Sequence, residues 1–237
     1  MSDAPPGFVE TRTPANREAE LLHQQATIDY KHEIVRKSIH LCSLSIPVVY
    51  YFISKELALS IIIPITLAFF SVDLARYYHK PTREWFYRSF GWLLRKHESD
   101  EVRKRLTGAT NILISGIICI LIFPKIIIVN AFAILILSDI TSALVGRRFG
   151  RRKFLHKSRE GALGFLVAGL VVVFLAPKVE GLTAEYLIGV IGVLVGAVVE
   201  SLSIKIDDNI SVPLSIGFVM WALYALLLPA VDLYRIV

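Results

Sequence analysis

The sequence predicts an all-α integral membrane protein with about seven transmembrane helices and an interfacial amphipathic segment between spans two and three. Three observations predict this class. Hydrophobic residues make up 54% of 237 positions and mean hydropathy is +0.59, which is more apolar surface than a soluble core of that length can hide. Apolar stretches recur at lengths suited to a hydrocarbon layer of about 30 Å. Finally, basic residues concentrate in alternate connections, the pattern that holds Lys and Arg on the cytoplasmic side.

Residues 1–27 contain Pro5, Pro6 and Pro14 among mixed charges, with no apolar run of signal-peptide type, and are expected to form a polar, mobile cytoplasmic tail. The remainder, 28–237, is expected to be a single multi-span domain. Its apolar stretches lie near 37–54, 57–76, 108–123, 126–145, 161–177, 183–203 and 212–231. Between the second and third, Trp85, Phe86, Phe90, Trp92, Leu93 and Leu94 alternate with Arg83, Arg88, Arg95 and Lys96, a composition suited to the headgroup layer. Of 26 basic residues, 22 fall on the side of the amino terminus and only Lys55, Lys125, Lys178 and Arg235 on the other. The amino terminus is therefore expected inside and the carboxyl terminus outside. The net charge of +6 is explained by anionic lipid headgroups and a phosphate site, without a nucleic-acid partner. Cys42 and Cys119 sit in apolar stretches without metal-ligand spacing and are expected to be small buried hydrophobes. His79 and His97 likewise have no partner at ligand spacing.

Four polar clusters fall at the cytoplasmic ends of the spans. Glu33, Arg36, Lys37 and His40 recur at i, i+3, i+4 and i+7, which puts them on one face of a helix. Such a stripe is either a salt-bridged helix entrance or an anion clamp, with Arg36 and Lys37 as phosphate donors and Glu33 orienting one of them. The second cluster runs from Arg103 through Thr107, Gly108, Thr110 and Asn111. Backbone amides at a helix start favour an anion, and the two threonines and Asn111 add side-chain donors.

The third cluster is the strongest. Asp139 follows an apolar run, with Ser142, Ala143 and Gly146 at i+3, i+4 and i+7, and a basic loop containing Arg148, Lys157 and Ser158 leads to Gly161. A lone carboxylate in a membrane helix costs roughly 3 kcal/mol or more unless it is paired, metal-bound or protonated. The small residues on its face allow close approach of a helix or nucleotide. The fourth cluster, Glu200 with Asp207, Asp208 and Asn209 before Pro213, offers hard oxygen ligands of the kind Mg²⁺ takes. Its plainer reading is a solvated turn.

Taken together, Glu33-x-x-Arg36-Lys37-x-x-His40, Thr107-Gly108-Ala109-Thr110, Ser138-Asp139-x-x-Ser142-Ala143-x-x-Gly146-Arg-Arg-Phe-Gly150, Lys157-Ser158-x-Glu160-Gly161 and Glu200-Ser-Leu-Ser with Asp207-Asp208-Asn209-x-x-x-Pro213 resemble the polyprenol kinase family. That family includes dolichol kinase, phytol kinase and CTP-dependent diacylglycerol kinase. The resemblance runs from about residue 30 to the carboxyl end; Ser138 stands where members often have glycine. It implies a cytosol-facing lipid kinase that transfers the γ-phosphoryl of CTP to the hydroxyl of a membrane lipid alcohol, either an isoprenoid alcohol or diacylglycerol, with Mg²⁺. The residues expected to carry that chemistry are Asp139, Asp208 and Glu200 as catalytic carboxylates, and Asp139, Asp207, Asp208 and Asn209 around the metal. Nucleotide and phosphate contacts are expected at Arg36, Lys37, His40, Thr107, Thr110, Asn111, Ser142, Gly146, Arg148, Lys157 and Ser158. A cytidylyltransferase acting on phosphatidate would use the same ingredients but release pyrophosphate. A transporter would place its site near the midplane with gates on both sides, and a non-catalytic scaffold would not need these groups at one depth.

Overall fold

Pro47 divides the first apolar stretch. It has no N–H to donate, and its ring crowds the carbonyl four residues earlier, that of Ser43. In the computed structural model, which describes residues 30–94, 104–202 and 206–235, helix α1 over 30–42 gives way to a turn at 43–44. Helix α2 then covers Ser45–Phe52. At the junction the Ile46 amide donates to the Ser43 carbonyl at 2.9 Å, one residue short of helical register. The amino-terminal tail and the predicted roles of Arg95, Lys96, His97, Arg103 and Lys205 lie outside the described residues.

The remaining elements follow the apolar stretches closely. Ser54 caps α3, Lys55–Tyr78, by accepting from the Leu57 amide. Helix α4 covers Lys80–Phe90 with Pro81 in its first turn, where a missing N–H costs nothing, and a short 3-10 turn follows at Gly91–Leu93. Then come α5 at Gly108–Ile122 and α6 at Lys125–Phe149. A two-residue-per-strand hairpin, β1 Lys153–Phe154 with β2 Lys157–Ser158, pairs antiparallel. The chain ends in α7 at Arg159–Leu175, α8 at Thr183–Ser201 and α9 at Asp208–Leu227.

Helix α6 is the centre. Ile127, Phe132, Ile134, Leu135 and Ile136 on successive faces are all fully buried, as expected of a helix that is apolar all round. It packs along α7, α9 and α2, while α8 lies against α9 and α7, and α5 bridges α3 and α9. Helix α3 by contrast turns Ile61, Ile63, Ile65, Leu67 and Phe69 outward. Apolar side chains exposed around most of a helix suit lipid. The protein is thus a helical membrane protein in which four helices, α3, α6, α8 and α9, are long and apolar enough to cross a bilayer. Helix α5 is apolar but only 15 residues long, and α7 has 17.

The two ends of the bundle differ in kind. At one end, buried Lys125 donates to the Ile53 carbonyl at 2.8 Å and Lys55 reaches the Leu121 carbonyl at 3.4 Å. Lys178 closes α7 by donating to the carbonyls of Val173 and Ala176, both at 2.7 Å. Glu185 accepts from the amides of Val179, Glu180 and Leu182 and from the Tyr224 hydroxyl, and Arg235 pairs with Glu180 at 2.8 Å. These contacts hold the four sparse basic residues in helix capping and loop closure. All four predicted polar clusters sit at the opposite end. Cys119 is buried as expected, but Cys42 is exposed. The buried face of α1 carries Glu33 and Lys37, and a residue five positions beyond Lys37 lies about 140° away from it.

Candidate functional site

The stripe on α1 faces the end of α6. Glu33 and Lys37, one turn apart, are 2% and 3% exposed. Lys37 donates to Asp139, and His40 Nε2 lies 3.3 Å from the same carboxylate oxygen. Glu33 pairs with Arg36 on its own helix and, through its other oxygen, with Arg147 Nη2 at 2.8 Å. The compensation that Asp139 requires therefore comes from another helix, α1. A buried pair of this kind is costly to break from one side, because the surviving charge is left in low dielectric.

A second node forms around Lys157. The β1–β2 hairpin, turned by Leu155 in the left-handed region at φ 53°, is tied to the end of α8 by the His156 amide donating to the Ser201 carbonyl at 3.2 Å. That places Lys157 on Glu200 and 3.3 Å from Asp208 Oδ2, while Ser142 Oγ donates to Glu200 Oε1 at 3.0 Å. Burial pulls the Lys157 ammonium down, but the carboxylates of Asp208, Glu200 and Asp139 outweigh it, so its pKa is raised and it stays charged. The two nodes are thus within electrostatic reach of each other.

Glycines serve close approach here more than loop freedom. A Cβ on Gly146 would meet Ser158 Oγ at 3.0 Å and the Gly161 Cα at 3.4 Å, and one on Gly161 would meet the Ser142 carbonyl at 3.0 Å. They let α6 and α7 touch, which brings the hairpin over the carboxylates. Three capped helix starts gather at the same end. Thr107 caps α5 by accepting from the Thr110 amide, Ser158 caps α7 from the Gly161 amide at 3.0 Å, and Asp207 caps α9 from the Asn209 amide at 3.0 Å. Their amide dipoles add to the positive potential supplied by the lysines.

Not every predicted residue joins these nodes. Thr107 donates its amide and hydroxyl to Asp73 Oδ2, each at 2.8 Å, and the Thr110 hydroxyl donates to the same oxygen at 2.6 Å, so both hydroxyl protons are directed inward. Asp207 is engaged with the amide and side-chain NH₂ of Asn209. Asn111 is buried. Arg148 is exposed, with its guanidinium 5.5 Å from the Phe149 ring centre.

The sequence reading missed Asp73 and Arg76. Arg76 is completely buried, with Nε 3.3 Å from Asp73 Oδ1 and Nη2 donating to the Arg105 carbonyl at 2.7 Å. Its guanidinium also lies 4.9 Å from the Phe86 ring centre. The available signal was the one used for Asp139, a carboxylate inside an apolar stretch, here with an arginine three residues on.

Among the described residues no group of three or more His, Cys, Asp or Glu side chains forms a metal cage. A phosphate-bound Mg²⁺ needs only one or two protein carboxylates, and the donor set fits that lesser demand. Asp139 and Asp208 offer carboxylates that each face a lysine, and Glu200 Oε2 is buried with no hydrogen-bond partner among the described residues.

Beside the nodes lies a cavity of about 550 Å³. Lys37, His40, Asp139 and Asn209 line it, together with Arg36, Asp73 and Thr107 and with apolar residues of α1, α3, α4 and α5.

No family model matches the chain, and no solved structure matches it. "Uncharacterized protein RP860" of Rickettsia prowazekii (strain Madrid E) is 30% identical over 194 residues, which span 80% of this chain and 93% of that protein. At that identity and coverage the chain belongs to the same protein family as this rickettsial protein.

Proposed function

We propose that the protein is a lipid kinase of the polyprenol kinase type, transferring the γ-phosphoryl of CTP to the hydroxyl of a membrane lipid alcohol. The observation that carries this reading is the convergence of Lys37 with Asp139 and of Lys157 with Glu200 and Asp208 beside an apolar cavity. These five residues come from five separate segments of the chain. The preference for CTP rests on the resemblance of the motifs alone.

Phosphoryl transfer asks a protein mainly for positioning and charge stabilisation. Lys37 and Lys157 are paired with carboxylates; the two lysines would hold phosphate oxygens of the nucleotide, and Asp139 and Asp208 would hold its Mg²⁺. Mg²⁺ carried in with the nucleotide would supply neutralisation of the phosphate charge. The lipid oxygen attacks the γ-phosphorus, the bond to the β–γ bridging oxygen breaks, and CDP leaves. The hydroxyl proton goes to a carboxylate, with Asp139, Asp208 and Glu200 as candidates. Purified protein given labelled CTP, Mg²⁺ and a panel of lipid alcohols is expected to yield a phosphorylated lipid and CDP. Pyrophosphate release would instead indicate a cytidylyltransferase, and no labelled product would overturn the reading.

The same proposal includes seven spans, with α1–α2, α5 and α7 added to the four long helices, and the nodes facing the cytosol. In a background lacking Cys42, Glu180→Cys is expected to react with an impermeant thiol reagent from outside intact cells, and Arg152→Cys only after lysis. Both native side chains are exposed at opposite ends of the bundle. The reverse labelling pattern would place the nodes on the wrong side for cytosolic nucleotide.

Fixed geometry separates phosphate binding from general membrane anchoring. Lys37→Met is expected to weaken turnover by about 2 kcal/mol, roughly thirtyfold, through loss of a charge-assisted hydrogen bond. Arg88→Ala, on the exposed side of α4, is expected to be nearly silent because neighbouring cations serve the same headgroups. Equal losses at both positions would point to a diffuse basic surface.

A further inference from the structure

We infer that Arg147 is a positioning residue: by pairing with Glu33 it fixes the register of α1 on α6, and that register holds Lys37 on Asp139. The lock itself stands on the two helices alone. Its effect on phosphoryl transfer rests on the kinase reading.

The need for a lock follows from which side of α1 is buried. Over 30–42 the buried residues are Glu33 and Lys37, one turn apart. The large apolar side chains Ile34, Val35, Ile39 and Leu41 of the same helix are exposed. Apolar knobs therefore do not seat α1 against α6, and fluid lipid chains accept the outward surface at any height. The connection to α2 leaves the height open as well, because α1 ends in the turn at 43–44 and does not run on into α2.

Charge supplies what shape does not. The partners occur in reverse order along the two helices: Glu33 meets Arg147 Nη2 at 2.8 Å, while Lys37 and His40 meet Asp139. Here α1 and α6 therefore run antiparallel, with an acid on a base at one rung and a base on an acid at the next. At 1.5 Å per residue, a slip of one turn moves α1 by about 6 Å. Forward along its axis, α1 carries Glu33 to the place of Lys37, carboxylate against the Asp139 carboxylate. Backward, it carries Lys37 to the place of Glu33, ammonium against the Arg147 guanidinium. Either slip exchanges attraction for repulsion, which is how charge patterns select one register of paired helices. Arg36 also pairs with Glu33, but it belongs to α1 and moves with it, so it does not define the register. Arg148, next to Arg147 in sequence, lies instead 5.5 Å from the Phe149 ring centre.

Arg147→Glu reverses the argument, since a backward slip then brings Lys37 onto a carboxylate and takes it off Asp139. The test uses the full-length protein in nanodiscs, with Cys42→Ala and nitroxide labels on Leu41→Cys of α1 and Leu175→Cys at the far end of α7, both native side chains being exposed. Cys119 is buried and stays unlabelled. Without nucleotide, the unsubstituted Arg147 protein is expected to give one narrow distance distribution, Arg147→Lys the same one, and Arg147→Glu a distribution lengthened by up to about 6 Å. Arg147→Gln adds no charge and is expected to broaden the distribution, so the lock is decided even if the charge reversal does not fold. An unchanged distribution in Arg147→Glu, or in Arg147→Gln, would overturn the lock. For phosphoryl transfer, Arg147→Glu is expected to cost roughly tenfold, Arg147→Lys less than about threefold, and Arg147→Glu in a Lys37→Met background less than about threefold further, because the residue acts through Lys37. A full tenfold loss in that background would mean that Arg147 touches the nucleotide itself, and would overturn the positioning role. A wild-type protein that transfers no phosphate would remove the kinase reading and leave the distances to decide the lock.

Discussion

Replacing Asp139 with asparagine is expected to lower phosphoryl transfer by about two to three orders of magnitude, the scale on which a group stabilising transition-state charge acts. Asparagine keeps the shape and loses the charge. Two consequences follow from the geometry and must be kept apart. One is chemical, since on the proposed reading this carboxylate would position the phosphate or take the hydroxyl proton. The other is structural: Lys37, 3% exposed, loses the carboxylate to which it donates, and an uncompensated buried cation costs about 3–5 kcal/mol. The paired variant Lys37→Met/Asp139→Leu separates them. Replacing a buried ion pair by apolar side chains of similar volume is often neutral or stabilising, so this protein is expected to recover wild-type thermal stability and remain inactive. Turnover near wild type in the single Asp139→Asn variant would remove the central residue of the site.

The fold class was legible because it depends on quantities a sequence carries locally. Apolar length gave α3 and α5 to α9 within about four residues at each end, but not the break at Pro47 that divides the first stretch into α1 and α2. The site was legible for a related reason. Ionisable groups are so expensive inside a bilayer that their presence at Glu33, Lys37, Asp139 and Glu200 already demanded partners. Which partners they have is another matter. That Asp139 pairs with Lys37, 102 residues away in sequence, depends on how α1 lies across α6, and no local pattern holds that information.

The same boundary applies where a polar residue finds its partner on another helix. Thr107 and Thr110 stand at a helix start, where hydroxyls suit an anion, and the anion they meet is Asp73 of α3. From the sequence, a phosphate and a carboxylate from another helix are equivalent partners. Arg76 stands among the 22 basic residues on the amino-terminal side, at the edge of an apolar stretch. A basic residue there looks like an ordinary membrane anchor unless its burial is known. Gly146, read from the sequence as a small residue that allows close approach, is needed where α6 meets Gly161 of α7.

The second large effect is expected outside the four predicted clusters. Asp73→Ala should cost about 3–5 kcal/mol of stability, because it removes the carboxylate facing a fully buried arginine. It also withdraws the oxygen that receives the Thr107 amide and hydroxyl and the Thr110 hydroxyl. The start of α5 would then lose its attachment to α3, and the Arg76 side chain that fixes Phe86 would be left without its counter-ion. Thr107→Val and Thr110→Val each delete a single hydroxyl donor while the carboxylate keeps its other partners, so each is expected to cost only about 1 kcal/mol. Asp73→Leu/Arg76→Met should regain much of the loss by removing both charges, but not the cavity shape, since the cation stacked on Phe86 goes with them. Unfolding in mild detergent, followed by helical circular dichroism against denaturant, reads all four variants on one scale. If Asp73→Ala unfolds within about 0.5 kcal/mol of wild type, the range of an ordinary surface substitution, then the Asp73–Arg76 pair does not hold α3, α4 and α5 together.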